Sequence, residues 1–285
     1  VSRRSVPFVG LGRQEWERLA DAAALLALAL VVLGSSYAAF DLHRQDFRGY
    51  YAAAYVALHG GDPYDYEQVA AVLLEITGSA GNNPFYYPPW FCLAMLPFAA
   101  LFPYEVARAV WVLVSWAAML GGLALAFRAM GWPLRGWRRW LAWLCSFYLF
   151  GWVTLKFGQV DILIWLCLAW ALWAMRAERD LACGTAMALL LTKPNVTILA
   201  FVFLAIYLAR KRRRALVYVL VVLVALTAVG TAFFPGWIRQ LGRPDFGVGL
   251  THLTDGPGRL IEQRRLCTLL YWLGATGIVG WPAYG

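Results

Sequence analysis

Hydrophobic and polar positions along this chain fall into long blocks, not into a period-two alternation. Apolar runs from Leu19 to Phe40, Val106 to Phe127, Trp140 to Leu155, Val160 to Met175 and Ala215 to Phe234 each approach the ~20 residues that cross ~30 Å of hydrocarbon as a helix. The run Leu181 to Ala209 is broken by Thr192-Lys193-Pro194-Asn195, which predicts a short hairpin of helices with Lys193 at its tip, and Leu266 to Pro282 supplies a last crossing. Trp90 to Phe102, introduced by Tyr86-Tyr87-Pro88-Pro89 and closed by Pro103, would make a helix only about 20 Å long at 1.5 Å per residue. That is too short to span comfortably, so a re-entrant or interfacial helix is expected there. The pattern predicts an all-α polytopic membrane protein, one membrane domain over residues 1–285 with about eight spans plus the short helix.

Composition agrees: 61% of the 285 residues are hydrophobic and 14% charged, against about a quarter charged in soluble domains. Soluble-enzyme classes are thereby excluded. Arg3, Arg4 and Arg13 precede the first run as in a signal peptide, but its length favours a retained anchor. The net charge of +9 does not point to nucleic acid, because the arginines cluster in short loops between apolar runs, as the positive-inside bias produces. Basic clusters at Arg3 to Arg18, Arg128 to Arg139, Arg176 and Arg179, and Arg210 to Arg214 place those segments in the cytoplasm, with residues 1–18 as a cytoplasmic N-terminus. Residues 41–103 then form an acidic first outer loop and 235–265 a second. Cys92, Cys145, Cys167, Cys183 and Cys267 lie in or beside apolar segments without CxxC spacing and read as small buried hydrophobes.

This topology brings several polar features to the outer side, where polar groups at membrane depth usually line a cavity. They are the first outer loop, the turn carrying Lys156, Gln159 and Asp161, the Lys193-Pro194-Asn195 tip, and the second outer loop with His252. Carboxylates suit work on a hydroxyl and cations suit a phosphate, so a substrate that is part lipid phosphate and part sugar is expected. Asp46, just beyond the first span, is the candidate general base. Tyr50 and Tyr51 on the following turn offer rings for a sugar, and Asp62 and Tyr87 lie on the same side. Lys193, Lys156 or an outer-loop arginine would neutralise a departing phosphate. Each residue taken singly also has a plainer reading: solvated aspartates, an aromatic belt at the interface, a snorkelling Lys193, and Asp161 paired with Lys156.

Asp46-Phe47, Tyr50-Tyr51, the alanines at 52–54, and Gly60 or Gly61 before Asp62-Pro63-Tyr64 resemble the first-loop pattern of glycosyltransferase family 87. Tyr87-Pro88-Pro89, Gly158-Gln159-Val160 and Cys183-Gly184 leading to Lys193-Pro194 are similar to further landmarks of that family in the same order, over roughly residues 20–215. The resemblance implies a GT-C-like helical bundle that takes a sugar, mannose, from a polyprenyl-phosphate donor to a hydroxyl on a lipid-linked acceptor. It implies Asp46 as base and His252 as its assistant, although the family often has Asn where Asp161 stands. The setting would be the cytoplasmic membrane, multi-pass, with the active face extracytoplasmic and membrane lipids as surroundings. No nucleotide, metal or other cofactor is implied, since no DxD triplet occurs. The chain is shorter than most of the family, so the rival expectation is a non-catalytic membrane subunit or lipid-binding scaffold of the same fold, with partner subunits.

Overall fold

The computed structural model describes residues 12–38, 46–78, 85–132, 154–155 and 157–241. Within them the chain is helical and contains no strand. Lys156 and His252 lie outside the described residues, as do the expected span Trp140 to Leu155 in nearly all its length and the last crossing from Leu266. Three helices among the described residues are long and apolar enough to cross a membrane; the count of eight spans is not reproduced at this level.

The first apolar run forms α1 (Arg13–Ala38). After it, α2 (Asp46–Leu58) buries Phe47 and the alanines at 52, 53 and 54 completely. Those small side chains let α2 approach α4 (Pro89–Leu101) closely. Between them, α3 (Tyr66–Thr77) starts on Asp65, whose Oδ1 accepts from the Glu67 and Gln68 amides at 2.9 and 3.4 Å. This satisfies N–H groups that the first turn of a helix leaves unpaired. Pro89 at the first position of α4 has no amide hydrogen to lose there. Pro103 separates α4 from α5 (Tyr104–Met130), the longest described helix at 27 residues.

Next come α6 (Asp161–Arg176), α7 (Asp180–Leu190), α8 (Pro194–Lys211), α9 (Arg213–Phe233) and the short α10 (Trp237–Leu241). The interrupted run is indeed two helices with the break at Leu191–Lys193, but they do not lie along one another as a tight hairpin. Instead α7 is sandwiched between α6 and α9. Gly184 allows this, because a Cβ there would meet the Val219 backbone nitrogen at 2.8 Å. Outward faces of α8 and α9 stay apolar, with Leu199 80% and Phe203 73% exposed, as expected of surfaces turned to lipid.

Two ends of the bundle differ in chemistry. At one, Arg176 donates to the Ala129 carbonyl at 2.7 Å, and Arg212 reaches the Met175 carbonyl at 2.6 Å and Asp180 at 2.8 Å. That end also carries Arg128, Arg179, Arg210, Lys211, Arg213 and Arg214. At the other end the helices begin with Asp46, Tyr104, Asp161 and Pro194. The short helix α4 keeps to this second end: it starts where Pro89 packs on Gly230 and Trp90 donates to Thr192 at 3.0 Å, and it finishes at Leu101, with Phe102 and Pro103 leading to Tyr104. It does not run to the basic end.

Candidate functional site

Asp46 opens α2 and is half-buried. Burial pushes its carboxyl above the usual carboxylate range, while the Lys193 charge and a hydrogen bond from the Gln159 side chain pull it back; Asp161 raises it further and Arg48 lowers it. Four residues from distant parts of the sequence therefore meet here: Asp46, Gln159, Asp161 and Lys193. Lys193 Nζ donates to Asp161 Oδ2 at 2.8 Å, with the two side chains 15% and 26% exposed. The second Asp161 oxygen, Oδ1, is buried and accepts no hydrogen bond. Asp161 thus pairs with Lys193, a pairing that sequence alone did not suggest.

The Gly158-Gln159 turn is held in place by its neighbours. Trp111 Nε1 donates to the Gly158 carbonyl at 2.9 Å, and the Gln159 amide donates to the Thr154 carbonyl at 3.0 Å. Gly158 has φ +62°, the left-handed region that disfavours a Cβ, and a Cβ there would sit 3.1 Å from that of Phe47. The turn consequently lies directly against the helix that carries Asp46.

Tyr50 and Tyr87 share a hydroxyl–hydroxyl hydrogen bond of 2.9 Å, and their rings meet edge to face. Burial holds the Tyr50 phenol well above its ordinary value, and Tyr87, then Asp46 and Asp161, add to that. Tyr50 therefore borders the carboxylates, though as a buried wall and not as an open stacking platform. Tyr51 faces elsewhere: its hydroxyl donates to the Phe102 carbonyl at 3.0 Å and its ring packs on Tyr104. Asp62 is likewise apart, its Oδ1 accepting from the Tyr64 amide at 3.0 Å in a cavity of about 230 Å³ with Gly60, Gly61, Phe234 and Trp237. Asn195 lies in the first turn of α8, two residues past Lys193, and is half-buried.

Two buried residues near the site were not singled out from sequence. Trp111 is one; its position in a long apolar helix gives no signal. Arg48 is the other, only 6% exposed with Nε and Nη1 unpartnered. It follows Asp46 by two residues, within the expected first outer loop.

Next to the polar cluster lies a cavity of about 310 Å³, lined almost wholly by apolar side chains that include Phe91, Met95, Phe98, Trp111 and Leu163, with Thr192 at its polar edge. Among the described residues no group of three or more His, Cys, Asp or Glu comes together as metal ligands would.

A half-buried carboxylate thus lies beside a lysine-bound second carboxylate and an apolar cavity, in a helical bundle with three helices long and apolar enough to cross a membrane among the described residues. The family model for glycosyltransferase family 87 matches residues 85–281, and the chain belongs to that family of membrane glycosyltransferases. The matched span takes in Tyr87, Lys156, Gln159, Asp161, Lys193, Asn195 and His252; it begins after Asp46, Tyr50, Tyr51 and Asp62, and extends further toward the C-terminus than residue 215. No curated protein and no solved structure gives a match.

Proposed function

We propose that the protein transfers a sugar, mannose, from a polyprenyl-phosphate donor to a hydroxyl of a lipid-linked acceptor, with inversion at the anomeric carbon. The observation that carries this reading is the convergence of Asp46, Gln159, Asp161 and Lys193 beside the apolar cavity. Asp46 takes the acceptor proton as the new C–O bond forms. On the opposite side of the sugar the bond from carbon to phosphate oxygen breaks, and polyprenyl phosphate leaves. Lys193 spends one of its three N–H donors on Asp161 and keeps two for the phosphate. The apolar cavity takes the first isoprene units of the donor. Lys156 and Asn195 contribute further donors to the donor headgroup, and His252 assists Asp46.

The basic end of the bundle supports a cytoplasmic orientation for that end. The site then faces the extracytoplasmic side of the cytoplasmic membrane, with Trp140 to Leu155 and the C-terminal run completing about eight spans.

Replacing Asp46 by Asn keeps the size of the side chain and removes the proton acceptor. Turnover of radiolabelled polyprenyl-phosphate mannose by the purified variant is expected to fall by about 10²–10⁴-fold, with donor lipid still bound. Asp65→Asn, which preserves the cap of α3, is expected to leave turnover near the unmodified level. Undiminished transfer by Asp46→Asn would overturn Asp46 as the base, and absence of transfer by the unmodified protein would favour a scaffold role for this fold.

A further inference from the structure

We propose that Trp111 is a positioning residue for sugar transfer, acting through Gly158 to hold the side-chain amide of Gln159 against Asp46; this rests on the reading of Asp46 as the base. The link is short and continuous. The indole N–H meets the Gly158 carbonyl at 2.9 Å in a buried setting, so without it that carbonyl has no water to turn to. Gly158 occupies a left-handed conformation pressed against Phe47, and the Trp111 ring stacks on the Phe47 ring with centroids 5.4 Å apart. One side chain thus clamps both the turn that ends in Gln159 and the helix that begins with Asp46. The spacing between Gln159 and Asp46 is set by Trp111, although Trp111 touches neither of them through a polar atom.

What the clamp supplies is the orientation of an amide donor. A hydrogen bond given to a carboxylate favours its ionised form, and Asp46 must be ionised to accept a proton. Other charged or titratable groups face Asp46 as well: Lys193 from the start of α8, Asp161 from the start of α6, and Arg48 and Tyr50 from α2 itself. Lys193 is already engaged by Asp161. Gln159 is the uncharged donor among these partners, and its placement depends on a turn whose conformation only glycine accommodates readily.

Trp111→Phe keeps an aromatic ring in the core and deletes only the N–H donor. In the full chain reconstituted in lipid nanodiscs, pH-difference infrared spectroscopy reads the Asp46 carboxyl as the C=O band that disappears in Asp46→Asn. Its titration midpoint is expected to move to higher pH in Trp111→Phe and in Gln159→Leu by the same amount. The double variant should move no further than either single one, because both changes cut the same link. The acid limb of kcat should follow, with kcat reduced by up to about 10²-fold and donor KM unchanged. Gly158→Ala disturbs the turn while keeping the indole N–H of Trp111, its Cβ meeting Phe47 Cβ at 3.1 Å and the Trp111 ring at 3.6 Å, and should give the same upward shift, which covers the case of a poorly folded Trp111→Phe. An unshifted midpoint in a folded Trp111→Phe, or shifts that add in the double variant, would overturn the proposal. The infrared midpoint needs no substrate, so its outcome is separable from that of the base assignment: an inactive Asp46→Asn with an unshifted Trp111→Phe removes the clamp alone.

Discussion

Asp46 is held by opposing demands. Its burial favours the neutral acid, whereas its proposed task requires the carboxylate. Because its folded pKa is raised above the unfolded value, its contribution to stability is fully present below the unfolded pKa and is lost as pH rises through the folded one. Asp46→Asn is therefore expected to unfold at a higher temperature than the unmodified protein near neutral pH, with the gain vanishing toward acid pH. Thermal melts in detergent across that range check this, and equal melting temperatures at neutral pH would contradict it. Lys193 makes a second case. Its removal in Lys193→Met leaves both Asp161 oxygens without a partner in a partly buried place, at an expected cost of about 1–3 kcal/mol. Adding Asp161→Asn should recover part of that loss, as denaturant titrations of the single and double variants can show. An unrecovered double variant would mean that Lys193 stabilises the fold through its aliphatic stem.

Helices in this bundle meet where side chains are small. Gly184 sits where α7 crosses α9, and its place in the Cys183-Gly184 pair follows from that crossing: a side chain there would strike the Tyr218–Val219 backbone. Backbone cannot rotate aside as a flexible side chain does. Gly184→Ala is expected to destabilise the protein by about 1–3 kcal/mol through overpacking, read as a lower melting temperature of the purified protein. Ala182→Gly, on the same helix, serves as the comparison, since it removes volume and adds only the helix-propensity cost of about 1 kcal/mol. The short α4 shows a different rule at this scale. Thirteen residues that begin at Pro89 and are followed by Pro103 make a helix too short to reach the basic end, so the chain is still at the site end when α5 begins.

At the scale of the whole molecule, charge is segregated between the two ends of the bundle. The basic end gathers Arg128, Arg176, Arg179, Arg210, Lys211, Arg212, Arg213 and Arg214, and the site end gathers Asp46, Asp161 and Lys193. Single cysteines at Glu178, in the exposed turn between α6 and α7, and at Tyr86, 39% exposed before α4, test the orientation that the proposed function needs. A membrane-impermeant thiol reagent applied to intact cells should label the Tyr86→Cys protein and spare Glu178→Cys, each in a background without native cysteines. The reverse pattern would turn the site toward the cytoplasm.

Helical class, membrane setting and the break at Lys193 were all legible in the sequence, because apolar run length and proline position are local properties that the bilayer and the backbone enforce directly. Ordered landmarks also carried the family, and four of the expected site residues, Asp46, Gln159, Asp161 and Lys193, do converge. Tertiary structure alone decided their partners. Asp161 pairs with Lys193, 32 positions away. Tyr51 turns to Phe102, since a helix presents successive residues at about 100° intervals and its packing chooses the inner face, and Asp62, in the loop after α2, goes to a separate cavity. Trp111 carried no sequence signal, because an indole in an apolar helix looks ordinary until the fold shows which polar atom it meets, and Arg48 was one of several outer-loop arginines until its burial set it apart.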